Sequence, residues 1–543
     1  MLFCGDYLQH MRKHNILLLF LSVVLLLASC AKRGSITGGD KDVTAPKILS
    51  STPKNGSTNF DKKEIKITFN EFIKVKDLQK NLIVSPPMKT PITVLPQGGV
   101  SKYLTIKIND TLKANTTYSF NFGQSIVDNN EGNVLQQFKY VFATGAELDS
   151  LTVEGTIKDS YEKEIPNFVN VMLYEVDDKY NDSIVYKEVP RYITNTLDST
   201  KTFKIENVKA GKYKLVALKE TTTNYKFDSK KDRIGFYDQT ITVPDKAIFE
   251  LELFKEVPKF VAKKPTQASG NRVLMGYEGN AKNIKISPKY KEASLAHKIT
   301  KFADKDSLQL WFKPIKNDSI QVNVANENYS KDFVVKLKNQ RQDTLKLTSK
   351  NTALDFKETL KIATSVPLEK WDVAKMNLIK KDSSKVAFTA QYDEFNQNLE
   401  ILFDKEENEK YTFVLQPQAV EDYLGQKNDS LVRFTASTKN KTDYGNLKLV
   451  LQNPKSFPLI VELTDAKGKV LYTEYAEKNP TIEFLLLEPK KYAIRVIYDT
   501  NNNKERDTGS YLEKRQPEEV FHFPNEIDVR ANWDVEQAVD LGK

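Results

Sequence analysis

The sequence is poor in the residues that build catalytic and metal centres. Its 543 residues include only two cysteines, Cys4 and Cys30, and four histidines, His10, His14, His297 and His522. Two cysteines cannot form a disulfide framework for a chain of this size. So few histidines and cysteines also argue against a histidine-based metal centre, a Cys–His nucleophile and a Ser–His–Asp triad.

A concentrated positive charge is also missing. The chain has 81 Lys and Arg against 72 Asp and Glu, a formal net charge of +9. The lysines alternate with acids, however, as in Lys62-Lys63-Glu64. No basic stripe with interleaved aromatic residues is present, so we expect a solvated lysine-rich surface and no nucleic-acid partner.

One apolar run, residues 15–28, stands out, and a basic segment at 11–14 precedes it. A basic start, a short apolar stretch and a small-residue end are typical of a signal peptide and too short for a spanning helix. The run ends in Leu27-Ala28-Ser29-Cys30, which resembles the bacterial lipobox. The resemblance implies a lipoprotein signal peptide at 1–29, with Cys30 acylated as the first mature residue. An ordinary signal peptide that ends in cysteine is the alternative.

The N-terminal region also predicts the location of the protein. Translation starts at Met1 or at Met11, and both starts give the same mature chain. Two or more acyl chains on Cys30 would anchor the protein firmly to a membrane. Residues 30–44 then form a flexible tether. If proteobacterial sorting rules apply, Ala31 favours the outer membrane, and we expect the periplasmic face rather than the cell surface.

Beyond residue 45 the sequence predicts an all-β body. Apolar and polar residues alternate with period two, as in 65–69, 104–108 and 527–533, and turn residues separate these runs. Strands at this spacing are typical of β-sandwiches. Helical periodicity is nearly absent, with single turns expected around 75–81 and 368–376.

The body contains two internal duplications. The pattern of residues 64–145 recurs about 294 residues later, ending in Phe434-Thr435-Ala436-Ser437-Thr438. Behind it, residues 202–218 align without gaps with 481–497. Neighbouring segments with similar spacing predict a two-domain unit that occurs twice, with a further domain between the copies.

The turn Ser51-Thr52-Pro53-Lys54-Asn55-Gly56, the strand 65–69 and the closing Phe142–Gly145 resemble the bacterial Ig-like domain of surface-layer proteins. Hairpins such as Phe203–Gly211–Tyr213 resemble prealbumin-like or carboxypeptidase-regulatory-like domains. The architecture is similar to Ig-like outer-membrane lipoproteins of Bacteroidota. We therefore expect a tandem array of Ig-like and prealbumin-like β-sandwich domains behind a lipoprotein signal peptide. The expected ranges are 45–146 (Ig-like), 147–256 (prealbumin-like), 257–271 (linker), 272–350 (sandwich of unknown type), 351–440 (diverged Ig-like) and 441–543 (prealbumin-like).

The strongest local site pattern lies between residues 499 and 507. Asp499, Asn501, Asn503 and Asp507 place oxygen ligands at alternate positions, as in the first part of a calcium-binding loop. Glycine at the sixth position and glutamate at the twelfth are missing. A related series in the first copy is Glu220, Thr222, Asn224 and Asp228, with Asp232 beyond. Calcium is the predicted ligand, and a hairpin loop whose side chains cap their own backbone is the alternative.

The remaining candidates are aromatic residues and histidines. Trp533 is in phase with the apolar residues of 527–531, so we expect it in a core, and Trp371 should be the most exposed of the three tryptophans. His297 and His522 have no partners at ligand spacing and are expected to be structural. No motif marks a pair of catalytic carboxylates.

Together these features predict a non-enzymatic, lipid-anchored envelope protein that acts as a scaffold, spacer or protein-binding accessory. Its partners would be the membrane, through the N-terminal lipid, and one or more envelope proteins bound through exposed strand edges or loop tips. A surface-displayed lipoprotein that binds glycans or mediates adhesion is the alternative.

Overall fold

The computed structural model describes residues 41–196, 201–303, 305–315 and 318–542, and this part of the chain is nearly all β. The predicted signal peptide and Cys30 lie outside the described residues. The sheets pack face to face around five separate apolar cores, giving five sandwiches in chain order. Among the helices that the structure describes, none is long and apolar enough to cross a membrane.

The first sandwich contains eight strands and one helical turn. One sheet has the order β1-β2-β5-β4, with β7 also pairing β2, and the other is β3-β6-β8. Ile65, Ile67 and Phe69 of β2 are buried and alternate with exposed or half-buried neighbours, as period-two patterning requires. The elements are β1 (Ile48–Thr52), β2 (Glu64–Val75), α1 (Leu78–Asn81), β3 (Ile83–Ser85), β4 (Thr93–Leu95), β5 (Ser101–Lys107), β6 (Thr117–Asn121), β7 (Ile126–Asp128) and β8 (Lys139–Ala143).

The second sandwich has one sheet in the order β11-β10-β13-β14, with β15 pairing β13, and another in the order β12-β9-β16. Its last strand runs parallel to its first. The elements are β9 (Leu151–Asp159), β10 (Asn170–Glu175), α2 (Ile184–Lys187), β11 (Tyr192–Asn195), β12 (Thr202–Val208), β13 (Gly211–Lys219), β14 (Arg233–Phe236), β15 (Ile241–Val243) and β16 (Ile248–Leu253).

The third sandwich pairs a β17-β19-β23-β22 sheet, with β18 also on β19, with a β21-β20-β24-β25 sheet. The elements are β17 (Val261–Ala262), β18 (Thr266–Ser269), β19 (Arg272–Glu278), β20 (Lys285–Tyr290), β21 (Ala293–Ser294), β22 (His297–Lys301), β23 (Ser307–Phe312), β24 (Ser319–Asn326) and β25 (Tyr329–Lys336). Residues 257–271, expected to be a linker, therefore supply two strands of this sandwich. Their proline and lysine content misled the prediction, because short edge strands tolerate both residues.

The fourth sandwich repeats the plan of the first. The long β2 of the first sandwich corresponds to two strands, β27 and β28, which pair β31 and β33 as the two halves of β2 pair β5 and β7. The elements are β26 (Leu347–Ser349), β27 (Leu360–Thr364), β28 (Leu368–Trp371), a 3₁₀ turn (Val373–Lys375), β29 (Met376–Ile379), β30 (Thr389–Asp393), β31 (Asn398–Leu402), β32 (Lys410–Leu415), β33 (Val420–Asp422) and β34 (Val432–Ser437). Since β26 pairs β27, this sandwich begins before the expected residue 351.

The fifth sandwich repeats the second strand for strand. Its sheets are β37-β36-β39-β40, with β41 on β39, and β38-β35-β42, and its last strand again runs parallel to its first. The elements are a 3₁₀ turn (Lys441–Asp443), β35 (Gly445–Gln452), β36 (Leu459–Thr464), β37 (Val470–Ala476), β38 (Thr481–Leu487), β39 (Lys490–Tyr498), β40 (Val520–His522), β41 (Ile527–Val529) and β42 (Asp534–Asp540). Both predicted duplications are thus confirmed in the sheet order.

Candidate functional site at the junction of the second and fifth sandwiches

The second and fifth sandwiches, the two copies of one plan, pack against each other. The contact begins at the turn after β9, where Asp159 Oδ1 accepts hydrogen bonds from the backbone N–H groups of Tyr161 and Glu162 at 3.0 and 2.9 Å. This turn carries Tyr161 to the fifth sandwich. The guanidinium carbons of Arg495 and Arg506 lie 3.6 and 4.5 Å from the centroid of its ring. Cation–π contacts of this kind contribute most where water is excluded.

Arg495 also forms a buried ion pair inside the fifth sandwich. It lies opposite Glu462 in the antiparallel ladder of β36 and β39, and its Nε donates to Glu462 Oε2 at 2.6 Å. Arg495 is 2% exposed and Glu462 is 8% exposed. A buried pair is stable only when further hydrogen bonds satisfy its remaining polar atoms. The carbonyl of Tyr161 accepts one from Arg495 Nη1 at 3.1 Å, so the second sandwich completes a charge pair of the fifth.

A second bridge runs in the opposite direction, from the loop between β39 and β40 to the second sandwich. Arg506 Nη2 donates to the carbonyl and the hydroxyl of Ser160 at 3.1 and 2.7 Å. Burial lowers the pKa of Arg506 from its ordinary value. Further along, Thr508 Oγ1 donates to the carbonyl of Lys255 at 2.7 Å.

The tip of this loop inserts Tyr511 into the second sandwich. The ring is buried and packs edge-on against Phe236, with 5.3 Å between the centroids. It belongs to the same buried cluster as Met172 and Val216 on the outer face of the β10–β13 sheet. The backbone of Gly509 approaches Phe254 so closely that a Cβ there would lie 2.7 Å from the ring. The packing of this loop against the second sandwich therefore requires the aromatic ring of Tyr511 and the absence of a side chain at Gly509.

The loop that the sequence singled out for calcium forms the base of this insertion. Asp499 accepts hydrogen bonds from the backbone N–H groups of Asn503 and Lys504 at 3.1 and 2.9 Å, and from the hydroxyl of Tyr475 at 2.9 Å. Asn501 and Asn503 both donate through their side-chain amides to Asp507 Oδ2, at 2.6 and 2.8 Å. The four predicted ligands therefore lie together, and each accepts at least one hydrogen bond through a side-chain oxygen.

The loop of the first copy shares the backbone hydrogen bonds that hold this loop. Glu220 Oε2 accepts from the N–H groups four and five residues later, those of Asn224 and Tyr225, both at 2.9 Å. Asp232 Oδ1 accepts from the N–H of Thr221 at 2.9 Å, as Glu518 Oε1 accepts from Thr500 at 2.7 Å. Tyr225 and Lys504 both have positive φ, at the position where a calcium loop would place glycine. The repeated acids therefore hold one loop shape in both copies.

Calcium binding by this loop remains a prediction. Among the described residues, no group of three or more His, Cys, Asp and Glu side chains could hold a metal ion. The alternative, a self-capped loop, predicts the same melting temperature with excess calcium and with excess chelator, because the loop's own N–H groups occupy both oxygens of Asp499. A fall on chelation that Asp507→Asn abolishes would instead establish a calcium site.

His522 on β40 gives the junction a dependence on pH. Burial lowers its pKa to about 4, and the charges of Arg495 and Lys163 act in the same direction. The unfolded chain takes up this proton near the ordinary histidine pKa of about 6.5. The contribution of neutral His522 is therefore complete above that pH and is lost as the pH falls towards 4. We expect His522→Gln to reduce the fall in melting temperature that occurs as the pH is lowered from about 6.5 to about 4. An unchanged slope in His522→Gln would contradict this assignment.

The tryptophans differ from expectation. Trp533 is 56% exposed, because β41 ends at Val529 and a turn through Asn532, with positive φ, breaks the alternation. The prediction of a core position was therefore wrong. Trp371 ends β28 at 36% exposed, so it is not the most exposed of the three, and Trp311 is buried.

Comparison with known proteins supports the Ig-like fold. Residues 42–144 match the family described as bacterial Ig-like domain, which confirms the resemblance stated for the first sandwich. No enzyme family is found. No curated protein matches the sequence.

Similar solved structures are themselves arrays of domains. A titin I-band fragment, I67–I69, is 12% identical, with 44% of this chain and 94% of that chain covered and a TM-score of 0.13. Domains 1–6 of surface layer protein SbsC are 10% identical, with 89% and 67% covered and a TM-score of 0.16.

Sequence reasoning missed the residues that join the sandwiches. Tyr161, Arg495 and Tyr511 belong to no motif, and each contacts residues more than 250 positions away. One signal was present, namely the difference between the two copies. Arg495 corresponds to Val216 in the first copy. Because a charged side chain at a buried strand position needs a partner of opposite charge, this difference indicates an ion pair.

Proposed function

We propose that this protein is a lipid-anchored cell-envelope protein that acts as a non-enzymatic scaffold, spacer or protein-binding accessory. The observation that carries the proposal is the packing of the second sandwich on the fifth. An array joined only end to end bends at each junction. Here Arg495, Arg506 and Tyr511 join sandwiches that are not neighbours in sequence, which stiffens the body.

The other junctions also favour a stiff body. Ile83 of the first sandwich packs in the outer cluster of the second, and Ser85 Oγ accepts from the N–H of Ile193 at 3.1 Å. Between the third and fourth sandwiches, the N–H of Lys301 donates to the carbonyl of Phe395 at 2.8 Å. Backbone and buried contacts of this kind hold orientation better than exposed ion pairs do. A stiff body held near a membrane suits the positioning of partner proteins.

Anchoring and partners are tested together in cells. The wild-type protein should incorporate labelled fatty acid, fractionate with the outer membrane and resist protease added to intact cells. Cys30→Ser should lose the label and the membrane association. Affinity purification from solubilised envelopes should recover the same envelope proteins with the wild type in repeated preparations. Recovery of none, or hydrolysis of an envelope polymer by the purified protein, would contradict the scaffold role.

Exposed Trp533 favours one alternative, a surface-displayed lipoprotein that binds glycans or mediates adhesion. Its ring lies beside the guanidinium of Arg530, 5.2 Å from the ring centroid, and is open to solvent. An exposed ring of this kind can stack on a sugar face. If this alternative holds, protease should remove the protein from intact cells, and Trp533→Ala should abolish retention on envelope polysaccharide while Trp371→Ala does not.

A further inference from the structure

The third sandwich leaves one long strand edge open. β25 ends the β21-β20-β24-β25 sheet and, among the described strands, pairs only β24, over its full length of 8 residues. A strand at the edge of a sheet presents unpaired N–H and C=O groups along its outer side. Such an edge can accept a further strand from another chain.

Hydrogen bonds show which residues at the end of β25, and in the two positions after it, have backbone groups that face outward. The N–H of Leu337 donates to the carbonyl of Asp318 at 2.7 Å, so Leu337 bonds inward, towards β24. In an antiparallel pair, inward and outward residues alternate. The backbone groups of Val334, Lys336 and Lys338 therefore face outward.

One outward residue is already bonded as a neighbouring strand would bond it. The N–H of Lys338 donates to Gln267 Oε1 at 2.7 Å, and Gln267 Nε2 donates to the carbonyl of Lys338 at 2.9 Å. The side-chain amide thus takes the place of one peptide group of an added strand. No hydrogen bond of this kind is found at Val334 or Lys336 in the described part of the chain.

A groove of about 680 Å³ lies along this edge, and its charge has one sign. Lys264, Lys336 and Lys338 line it, together with neutral residues and no acid. None of the three lysines is in an ion pair among the described residues. Val334, which is 56% exposed, offers an apolar side chain beside the open backbone groups.

We propose that the edge formed by the end of β25 and the two residues after it, from Val334 to Lys338, binds an extended acidic segment of a partner protein as an added strand. The backbone groups of Val334 and Lys336 would continue the pairing that Gln267 begins, and the three lysines would face carboxylates. A second copy of this chain fits less well, because antiparallel pairing of the edge from Val334 to Lys338 with itself places Lys336 opposite Lys336. The proposal does not depend on lipid anchoring or on the packing of the second sandwich on the fifth.

The test measures fluorescence anisotropy of a labelled short peptide of alternating threonine and glutamate, titrated with the purified full chain. We expect binding that weakens with salt, and none for a threonine–lysine peptide. Val334→Pro removes an outward N–H, which an edge strand tolerates. It should weaken binding roughly tenfold, as the loss of one or two hydrogen bonds predicts, without lowering the melting temperature.

Charge variants complete the test. Lys336→Glu/Lys338→Glu should weaken binding of the acidic peptide, whereas Lys285→Glu/Lys289→Glu on β20, with the same change in net charge, should not. No binding to the wild type would overturn the proposal and leave the lysines as protection of the edge against aggregation. Equal binding by Val334→Pro and by the Lys336/Lys338 variant would also overturn it. Self-association that Val334→Pro abolishes would replace the acidic partner with a second copy.

Discussion

Arg495→Met should lower the free energy of unfolding of the fifth sandwich by about 3–5 kcal/mol, because it leaves Glu462 buried without its positive partner. The same change removes the hydrogen bond to the carbonyl of Tyr161 and the cation–π contact with its ring. Urea denaturation of the purified protein at neutral pH measures the loss.

The chain supplies the control for this variant. At the equivalent pair of the second sandwich, Met172 and Val216 lie opposite each other and are both buried. Glu462→Met/Arg495→Val copies that pair into the fifth sandwich and should recover most of the lost stability, since replacing both charges removes the unpaired carboxylate. A loss of about 1 kcal/mol or less in Arg495→Met, as for an exposed pair, would contradict the assigned role.

Tyr511→Ala should cost about 3–5 kcal/mol, the usual range for removing a buried aromatic ring from a core. The substitution weakens the contact between the two sandwiches, because the ring belongs to the fifth sandwich and packs in the outer cluster of the second. The loop that carries it would then lose its main apolar contact. Thermal unfolding and limited proteolysis of the loop 499–518 measure the two effects.

Two variants separate this role from a general effect of mutating the loop. Tyr511→Phe keeps the ring and should retain most of the stability. Leu512→Ala alters the next residue, which is exposed, and should change stability by no more than about 0.5 kcal/mol. Equal losses in Tyr511→Ala and Leu512→Ala would show that the ring is not what holds the junction.

Local patterns allowed much of the fold to be predicted. Period-two alternation identified the core strand β2, and the repeated segments predicted two pairs of similar sandwiches. The helical turns at Leu78–Asn81 and Val373–Lys375 also lie where weak helical spacing placed them. These features depend on residues close together in sequence, which is why sequence alone reveals them.

The acid-rich loops could be predicted from the sequence, but the sequence left two roles open for them. Alternating oxygens at Asp499, Asn501 and Asn503 are common to calcium loops and to self-capped turns. The groups that complete the turn, Tyr475 and Glu518, lie outside the motif, so spacing within it could not distinguish the two.

The junction itself could not be predicted. Tyr161 and Arg495 meet across more than 300 residues, and a single side chain carries no periodic signal. Trp533 shows a different source of error. The alternation of apolar and polar residues continues in the sequence beyond the end of β41, so it predicted a core position for a residue that lies outside the strand.

If the second and fifth sandwiches pack into one stiff unit, the distance between them is fixed and can be measured. Spin labels are attached at positions 246 and 478, which are exposed lysines, in a chain whose Cys4 and Cys30 are replaced by serine. Double electron–electron resonance then measures the distance between the two labels, one on each sandwich. We predict one narrow distribution centred on the distance in the structure, which Tyr511→Ala broadens. If the distance distribution is broad and extends to long distances when Tyr511 is unchanged, the two sandwiches move independently and do not form one stiff unit.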